Sequence, residues 1–206
     1  NKPLGERVWS SLFQAVTPRT AGFNTADLTQ ISEAGSLLTI MLMLIGGSPG
    51  STAGGIKVSR LVIAMKGAYI NVRKLINPRY VPKAKFEGKS LEQKTINDVF
   101  GFITLYFFLL LAAVFILSFD PANGRVVSIA SDVGTNTVTH GFFSNFSAVL
   151  ACISNIGPAF EAIGPYASYA DYSMVSKITL SLMMLIGRLE IFPVLILFNR
   201  RTWKRI

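Results

Sequence analysis

The sequence predicts an all-α integral membrane protein in which short re-entrant helices lead into extended strands. Three observations predict it. Only 15% of the 206 residues are charged and 50% are apolar, against roughly 25% charged in an average soluble chain. The few charges are lopsided, 20 Lys and Arg against 11 Asp and Glu, a formal +9. The apolar residues gather in runs that either cross a bilayer or stop about halfway. A soluble nucleic-acid binder is normally rich in charge. A chain poor in charge yet basic points instead to basic loops on one side of a membrane, with no nucleic-acid partner. The single cysteine, Cys152, excludes a disulfide framework and a Cys-cluster zinc site, and the single histidine, His140, argues against a His-based metal centre. No resident cofactor is expected.

The elements follow in order. Arg7 to Val16, RVWSSLFQAV, leads into TPRTAGFNT; its length suits a re-entrant helix better than a span. Gly35 to Ile45, GSLLTIMLMLI, is eleven residues and covers only roughly 16 Å. It meets GGSPGSTAGG, Gly46 to Gly55, and resumes as IKVSRLVIAMKGAYI. Two half-length pieces around a Gly/Ser/Thr hinge predict one broken crossing. Irregular backbone at membrane depth is tolerated only inside protein or beside a wet cavity, so the hinge marks a permeation path. Val99 to Phe119 carries no charge before Asp120 and is a full crossing. Gly141 to Ile153, GFFSNFSAVLACI, is a second re-entrant helix leading into SNIGPAF. Met174 to Phe198 is a second full crossing, with Arg188 and Glu190 inside it.

The charges set the orientation. Ten basic residues lie between Lys57 and Lys94, opposed only by Glu87 and Glu92, and the tail adds Arg200, Arg201, Lys204 and Arg205. Two crossings separate these regions, so both fall on one face, and Lys and Arg prefer the cytoplasmic one. Residues 120–140 and 161–171 then face outward.

Each half of the chain reads as short helix, glycine-bearing strand, outer linker and inward crossing with a glycine partway down. Gly22 matches Gly157 and Gly46 matches Gly187. A dehydrated cation needs oxygens to replace its water, and backbone carbonyls supply them where glycine permits unusual dihedrals. Thr20-Ala21-Gly22-Phe23 follows the order of the K⁺-channel signature TVGYG: Thr, small apolar, Gly, aromatic. Asn155-Ile156-Gly157-Pro158 keeps the apolar-Gly core. Both are candidate selectivity filters, with K⁺ held by the carbonyls of Thr20, Ala21, Asn155 and Ile156. The alternative is a pair of ordinary helix-ending turns. With the filters in place, the fold class is a pore-loop, K⁺-channel-like architecture.

TPRTAGF, IGGSPGSTAGGIKVSR, SNIGP and GRLEIFPVLILF, in that order, resemble the potassium-transporting subunits of the Trk/Ktr/HKT superfamily, most of all the bacterial TrkH type. The resemblance covers essentially the whole chain. It implies a pore built within one chain from four unequal filter strands, with Thr20 to Phe23 and Asn155 to Pro158 lining the third and fourth quarters. It implies an intramembrane gate at Gly46 to Lys57 and an Arg188 projecting towards the cavity near it. It also implies a homodimer in the bacterial cytoplasmic membrane, working with a cytoplasmic, nucleotide-binding, TrkA-like regulatory subunit. The chain departs from the commoner family pattern at Ala159, where glycine is usual, and Asn24 lacks the final glycine of the channel signature; both bear on stringency for K⁺ over Na⁺.

On this reading residues 1–78 are a partial third repeat, with filter 17–24 and a broken crossing containing loop 46–57. Residues 79–94 are a basic cytoplasmic linker. Residues 95–206 are the fourth repeat: crossing 95–119, outer loop 120–140, pore helix 141–153, filter 154–159, crossing 174–199 and a cytoplasmic tail. The chain begins in mid-pattern at Asn1, and two filters are half of what a closed pore needs, so it reads as part of a longer protein.

Arg188 is the costliest residue. A charge at mid-membrane costs about 2.5 to 3.5 kcal/mol on insertion scales. Glu190 is two residues away and on another helix face, which favours an Arg188 aimed at the pore and pressing on the hinge. Glu190 is left to pair with Lys57 or another inner basic group. The hinge residues Gly46, Gly47, Ser48, Gly50, Ser51, Thr52, Gly54, Gly55 and Lys57 form a mobile gate, with hydroxyls that can meet water or an ion. The hinge is not a phosphate loop, because Ile56 separates Gly55 from Lys57.

Pro193 predicts a kink, His140 an interfacial cap, and Cys152 a small buried apolar residue. Asn145-Phe146-Ser147 fits a glycosylation acceptor but lies on a re-entrant helix, a poor acceptor site. Trp203 suits an inner-interface anchor. The basic stretch meets anionic lipid, and its part from Arg73 to Lys89 offers a docking face for an acidic partner. The function expected is K⁺ uptake. Alternatives are a Na⁺-permeable or ion-coupled member of the same superfamily and, of another class, a membrane-embedded enzyme or scaffold; no carboxylate pair or nucleophile constellation supports the last.

Overall fold

The computed structural model of the chain describes residues 3–24, 28, 31–77, 85–86, 89–90, 92–131 and 134–189. It is mostly helical: α1 Leu4–Val16, α2 Glu33–Leu44, α3 Val58–Ile76, α4 Gln93–Leu117, α5 Phe142–Ile153 and α6 Met174–Leu189. Two antiparallel hairpins accompany them, β1 Lys85–Phe86 with β2 Lys89–Ser90, and β3 Val126–Ser131 with β4 Gly134–Thr139.

Local chemistry sets the boundaries. Ser32 caps α2 by accepting from the Gly35 N–H at 3.3 Å, with Glu33 in the first turn, where the helix dipole favours an acid. The helix stops where Gly46 and Gly47 follow. In α3, Arg73 and Lys74 occupy the last turn, the favourable end for cations, and Pro78 follows in sequence. At 25 residues, with a mean hydropathy of 2.7 over an 18-residue stretch, α4 is long and apolar enough to cross a bilayer. Phe108, Leu111 and Phe115 point outward from it, as a lipid-facing stripe requires.

The core centres on α5. Its residues from Ser147 to Ile153 are all fully buried, and α4, α6 and α2 pack around it. Small side chains (Ser147, Ala148, Ala151, Cys152) allow that close approach. A smaller cluster of Ile63, Ala64, Ile70, Ile96 and Val99 joins α3 to α4. Gly67 is required there, because an added Cβ would lie 2.8 Å from Ile96 and 3.0 Å from Phe100.

Two expectations are corrected. The segment 120–140 is not merely a loop: β3 and β4 pair from Val126↔Thr139 to Ser131↔Gly134, driven by β-branched Val126, Val127, Ile129, Thr135, Thr137, Val138 and Thr139. His140 is not an interfacial cap. Gly141 holds the cap position of α5 without a side-chain bond, while His140 is 2% exposed with its ring against Tyr172 at 5.4 Å. The second crossing is described as far as Leu189. Glu190, Pro193, Trp203, the basic tail, Lys83 and most of the linker 79–94 lie outside the described residues.

Candidate functional site

The two glycine-bearing segments share a backbone signature. Thr20 (φ 68°) and Gly22 (φ 76°) are left-handed, as are Asn155 (φ 55°) and Gly157 (φ 102°), while Ala21 and Ile156 between them are not. Left-handed backbone in a non-glycine residue is uncommon and strained, and here it recurs at matching positions of both segments. An extended strand sends successive carbonyls to opposite sides. Alternating handedness lets them share one side, which is the arrangement a line of cation ligands needs. Both segments are thus turned rather than extended.

The helices before them set this up. The N–H groups of Ala21 and Gly22 both bond back to the Thr17 carbonyl at 3.2 Å, and the Ile156 N–H bonds to the Ala151 carbonyl at 2.9 Å. The two segments touch. The Thr20 hydroxyl donates to the Ser154 carbonyl at 3.4 Å, and a Cβ on Gly22 would collide with the Ile156 carbonyl oxygen. Each segment also has its own brace. The Thr17 hydroxyl donates to the Phe23 carbonyl, and the Tyr169 hydroxyl donates to the Gly157 carbonyl at 2.6 Å.

The loop 46–57 sits against the second segment. Its base is a short parallel ladder: Gly46 N–H to the Ile56 carbonyl at 2.9 Å, Ile56 N–H to Leu44 at 3.0 Å and Val58 N–H to Gly47 at 3.2 Å. The tip is a turn, with Pro49 and left-handed Gly50 in its centre, closed by the Ser51 N–H and hydroxyl bonding the Ser48 carbonyl at 3.2 and 2.7 Å. Glycine is needed where the limbs and neighbours meet. A Cβ on Gly46 would strike the Gly54 carbonyl, and one on Gly54 would lie 2.6 Å from the Ser154 carbonyl oxygen. Lys57 holds the cap position of α3. Thr52 is exposed at the loop's outer face.

Helix α6 closes the arrangement. The Arg188 guanidinium donates to the Thr52 carbonyl at 2.7 Å. In the amide orientation that satisfies both partners, Asn155 donates to the Met184 carbonyl and accepts from the Arg188 N–H, at 3.1 Å each. The packing leaves no room for a side chain at Gly187, whose Cβ would collide with the Ile153 carbonyl oxygen. From the other side, the Tyr106 hydroxyl of α4 lies 3.1 Å from the Ser154 hydroxyl. The sequence-predicted residues Gly54, Asn155 and Arg188 therefore meet at one place, with Gly187 beside them.

Several residues here were not anticipated. Tyr106 and Tyr169 brace the second segment at Ser154 and Gly157, and Ser144 bonds the Glu161 carboxylate at 2.8 Å. Beyond the segments, Asn145 accepts from the Tyr172 hydroxyl at 2.7 Å and donates to Asn123 at 2.8 Å, while Asn123 bonds the Leu117 and Ser118 carbonyls at the end of α4. A buried, fully used Asn145 is no glycosylation acceptor. Cys152 is buried as expected. Among the described residues no group of His, Cys, Asp and Glu is arranged to hold a metal ion.

Known proteins resemble the chain along most of its length. The chain is 31% identical over 195 residues to the "Trk system potassium uptake protein TrkH" of Salmonella typhimurium, covering 94% of this chain and 36% of that protein. It is 30% identical over 189 residues to the "Potassium/sodium uptake protein NtpJ" of Enterococcus hirae, covering 92% and 36%. The crystal structure of the potassium transporter TrkH from Vibrio parahaemolyticus matches with a TM-score of 0.79 at 30% identity, over 98% of this chain and 39% of that one. The chain thus spans a little over a third of the length of these relatives. The family described as "TrkH: Cation transport protein" matches residues 1–204, and the chain belongs to that family.

Proposed function

We propose that the protein containing this chain takes up K⁺ across the bacterial cytoplasmic membrane through a selectivity filter gated by an intramembrane loop. The observation that carries the proposal is the repeated left-handed pattern at Thr20 and Gly22 and at Asn155 and Gly157, which suits carbonyl coordination. The carbonyls of Thr20, Ala21, Asn155 and Ile156 strip and replace the ion's water. Loop 46–57 obstructs the path beneath them, and Arg188 holds it closed through the Thr52 carbonyl.

The division into repeats 1–78 and 95–206, a cytoplasmic linker 79–94 and a cytoplasmic tail belongs to the same reading. It is supported by the basic excess of Lys57 to Lys94. A homodimer and a TrkA-like nucleotide-binding partner follow from the family resemblance. Na⁺ permeation is the second reading, favoured by Ala159 and Asn24 and by the printed name of the Enterococcus relative.

The test is rescue of a K⁺-uptake-deficient bacterium by the full-length protein at low external K⁺. Growth with K⁺ and Rb⁺ accumulation is expected. Failure to rescue with the protein present in the membrane would contradict it, and equal Na⁺ accumulation would favour the second reading.

A further inference from the structure

We infer that Tyr169 is a selectivity-positioning residue, which holds the Gly157 peptide from behind so that its carbonyl stays out of the ion path. The inference rests on the filter reading of Asn155 to Pro158.

Gly157 has a left-handed backbone. Its φ of 102° lies where side chains are strained, and an added Cβ would meet nothing within 4 Å. Glycine has no side chain to restrict its dihedrals, so the orientation of this peptide depends on what its carbonyl bonds. A carbonyl that swings between two directions gives a cation a ligand of uncertain position, and discrimination between ions of different radius depends on ligand number and placement. The Tyr169 hydroxyl removes that freedom through a 2.6 Å bond, short even for O–H···O.

The hydroxyl comes from the α5 side. Cys152, fully buried on that helix, lies within hydrogen-bonding reach of it. The ring is held in turn against Tyr172, with centroids 6.3 Å apart, and Tyr172 is tied to Asn145 of α5 by its own hydroxyl at 2.7 Å. Tyr169 belongs to the short 3-10 turn Tyr169–Asp171, so the segment after the filter reaches back to fix it. The other segment is braced differently: Thr17, next after α1, bonds Phe23, one residue past Gly22. The two quarters thus carry different restraints at their outer ends, and the ligand set of the second ends at Ile156.

The experiment measures the K⁺/Na⁺ permeability ratio of the purified full-length protein in liposomes, for wild type, Tyr169→Phe, Tyr172→Phe and Gly157→Ser. Tyr169→Phe removes only the oxygen; Tyr172→Phe removes a hydroxyl that bonds Asn145 and not the filter, and leaves in place the ring that packs against Tyr169. The expected result is a fall of about fivefold in the ratio for Tyr169→Phe, the scale of one hydrogen bond, with Tyr172→Phe near wild type. Tyr169→Leu, a second variant without the hydroxyl, must fall likewise. A wild-type ratio in Tyr169→Phe beside an altered one in Gly157→Ser would overturn the inference and leave the filter reading standing. Equal falls in both tyrosine variants would reduce Tyr169 to a structural part and overturn it too. No change in any variant, Gly157→Ser included, would overturn the filter reading and the inference with it.

Discussion

Arg188 donates a 2.7 Å hydrogen bond to the carbonyl of Thr52, joining α6 to a loop 136 residues earlier in the chain. The bond is made to backbone, so it reads the loop's position rather than its side chains. A hydrogen bond from a charged group contributes about 1.5–3 kcal/mol, and each 1.4 kcal/mol is tenfold in an equilibrium.

Removing that bond should release the loop. Arg188→Ala is expected to raise Rb⁺ flux of the reconstituted full-length protein by about tenfold or more if the closed state dominates at rest, on the same hydrogen-bond scale. Arg188→Lys, which keeps the charge but loses the planar fork, should fall between. Unchanged flux in Arg188→Ala would remove the arginine from the gate.

Gly187 and Gly54 should tolerate nothing larger. An alanine at Gly187 drives its Cβ into the Ile153 carbonyl oxygen, and one at Gly54 comes within 2.6 Å of the Ser154 carbonyl oxygen. Overpacking of this kind costs about 1–3 kcal/mol. Gly101→Ala, on open surface of α4, should be neutral or stabilising by roughly 0.5–1 kcal/mol. Thermal unfolding in detergent distinguishes them: lower midpoints for the first two variants, none for the third.

How much of this was legible follows from which forces are local. The crossing in α4 needs only composition, and Gly22 and Gly157 announce themselves because few other residues accept positive φ. Thr20 and Asn155 are left-handed without being glycine, and no local signal says so; their conformation is imposed by the helix ends and by Thr20 meeting Ser154. The braces from Tyr106 and Tyr169 join distant parts of the chain, so a linear reading sees only two aromatic residues among many. The β3–β4 hairpin has a local signal, since β-branched Val126 and Val127 lie opposite Thr139 and Val138, but a membrane-like composition points to helices instead.

Acid should loosen the region around His140. Burial pushes its imidazole below the ordinary value of 6.5, against the opposing pull of Asp171 and Asp120, with Arg125 adding to the depression. Neither ring nitrogen has a hydrogen-bond partner among the described residues. The folded state thus binds the proton more weakly than the unfolded chain. Stability is full above about pH 6.5 and declines as pH falls from there towards the folded value. The melting temperature of wild type should drop between pH 7 and 5, and that of His140→Phe should stay flat over the same range. A parallel drop in both would assign the effect elsewhere.

Asp120 should act at lower pH and more strongly on the fold. Burial raises its carboxyl, but hydrogen bonds from Ser173, Ser176 and the N–H groups of Ala122 and Ser173 outweigh it, leaving the pKa below the ordinary 3.8. The Ser173 hydroxyl bond is 2.6 Å. Its contribution is present above pH 3.8 and lost as pH falls through the depressed value. Asp120→Ala strands those donors and should cost about 1–3 kcal/mol at neutral pH, read as a lower melting temperature.

If the two glycine-centred turns form half of a K⁺ filter, the K⁺/Na⁺ permeability ratio of the full-length protein in liposomes depends on them. Wild type is predicted to prefer K⁺. Gly22→Ala, whose Cβ would meet the Ile156 carbonyl oxygen, is predicted to lose that preference while Gly101→Ala keeps it. A Gly22→Ala protein that carries ions with the wild-type ratio would mean that these turns do not select the ion.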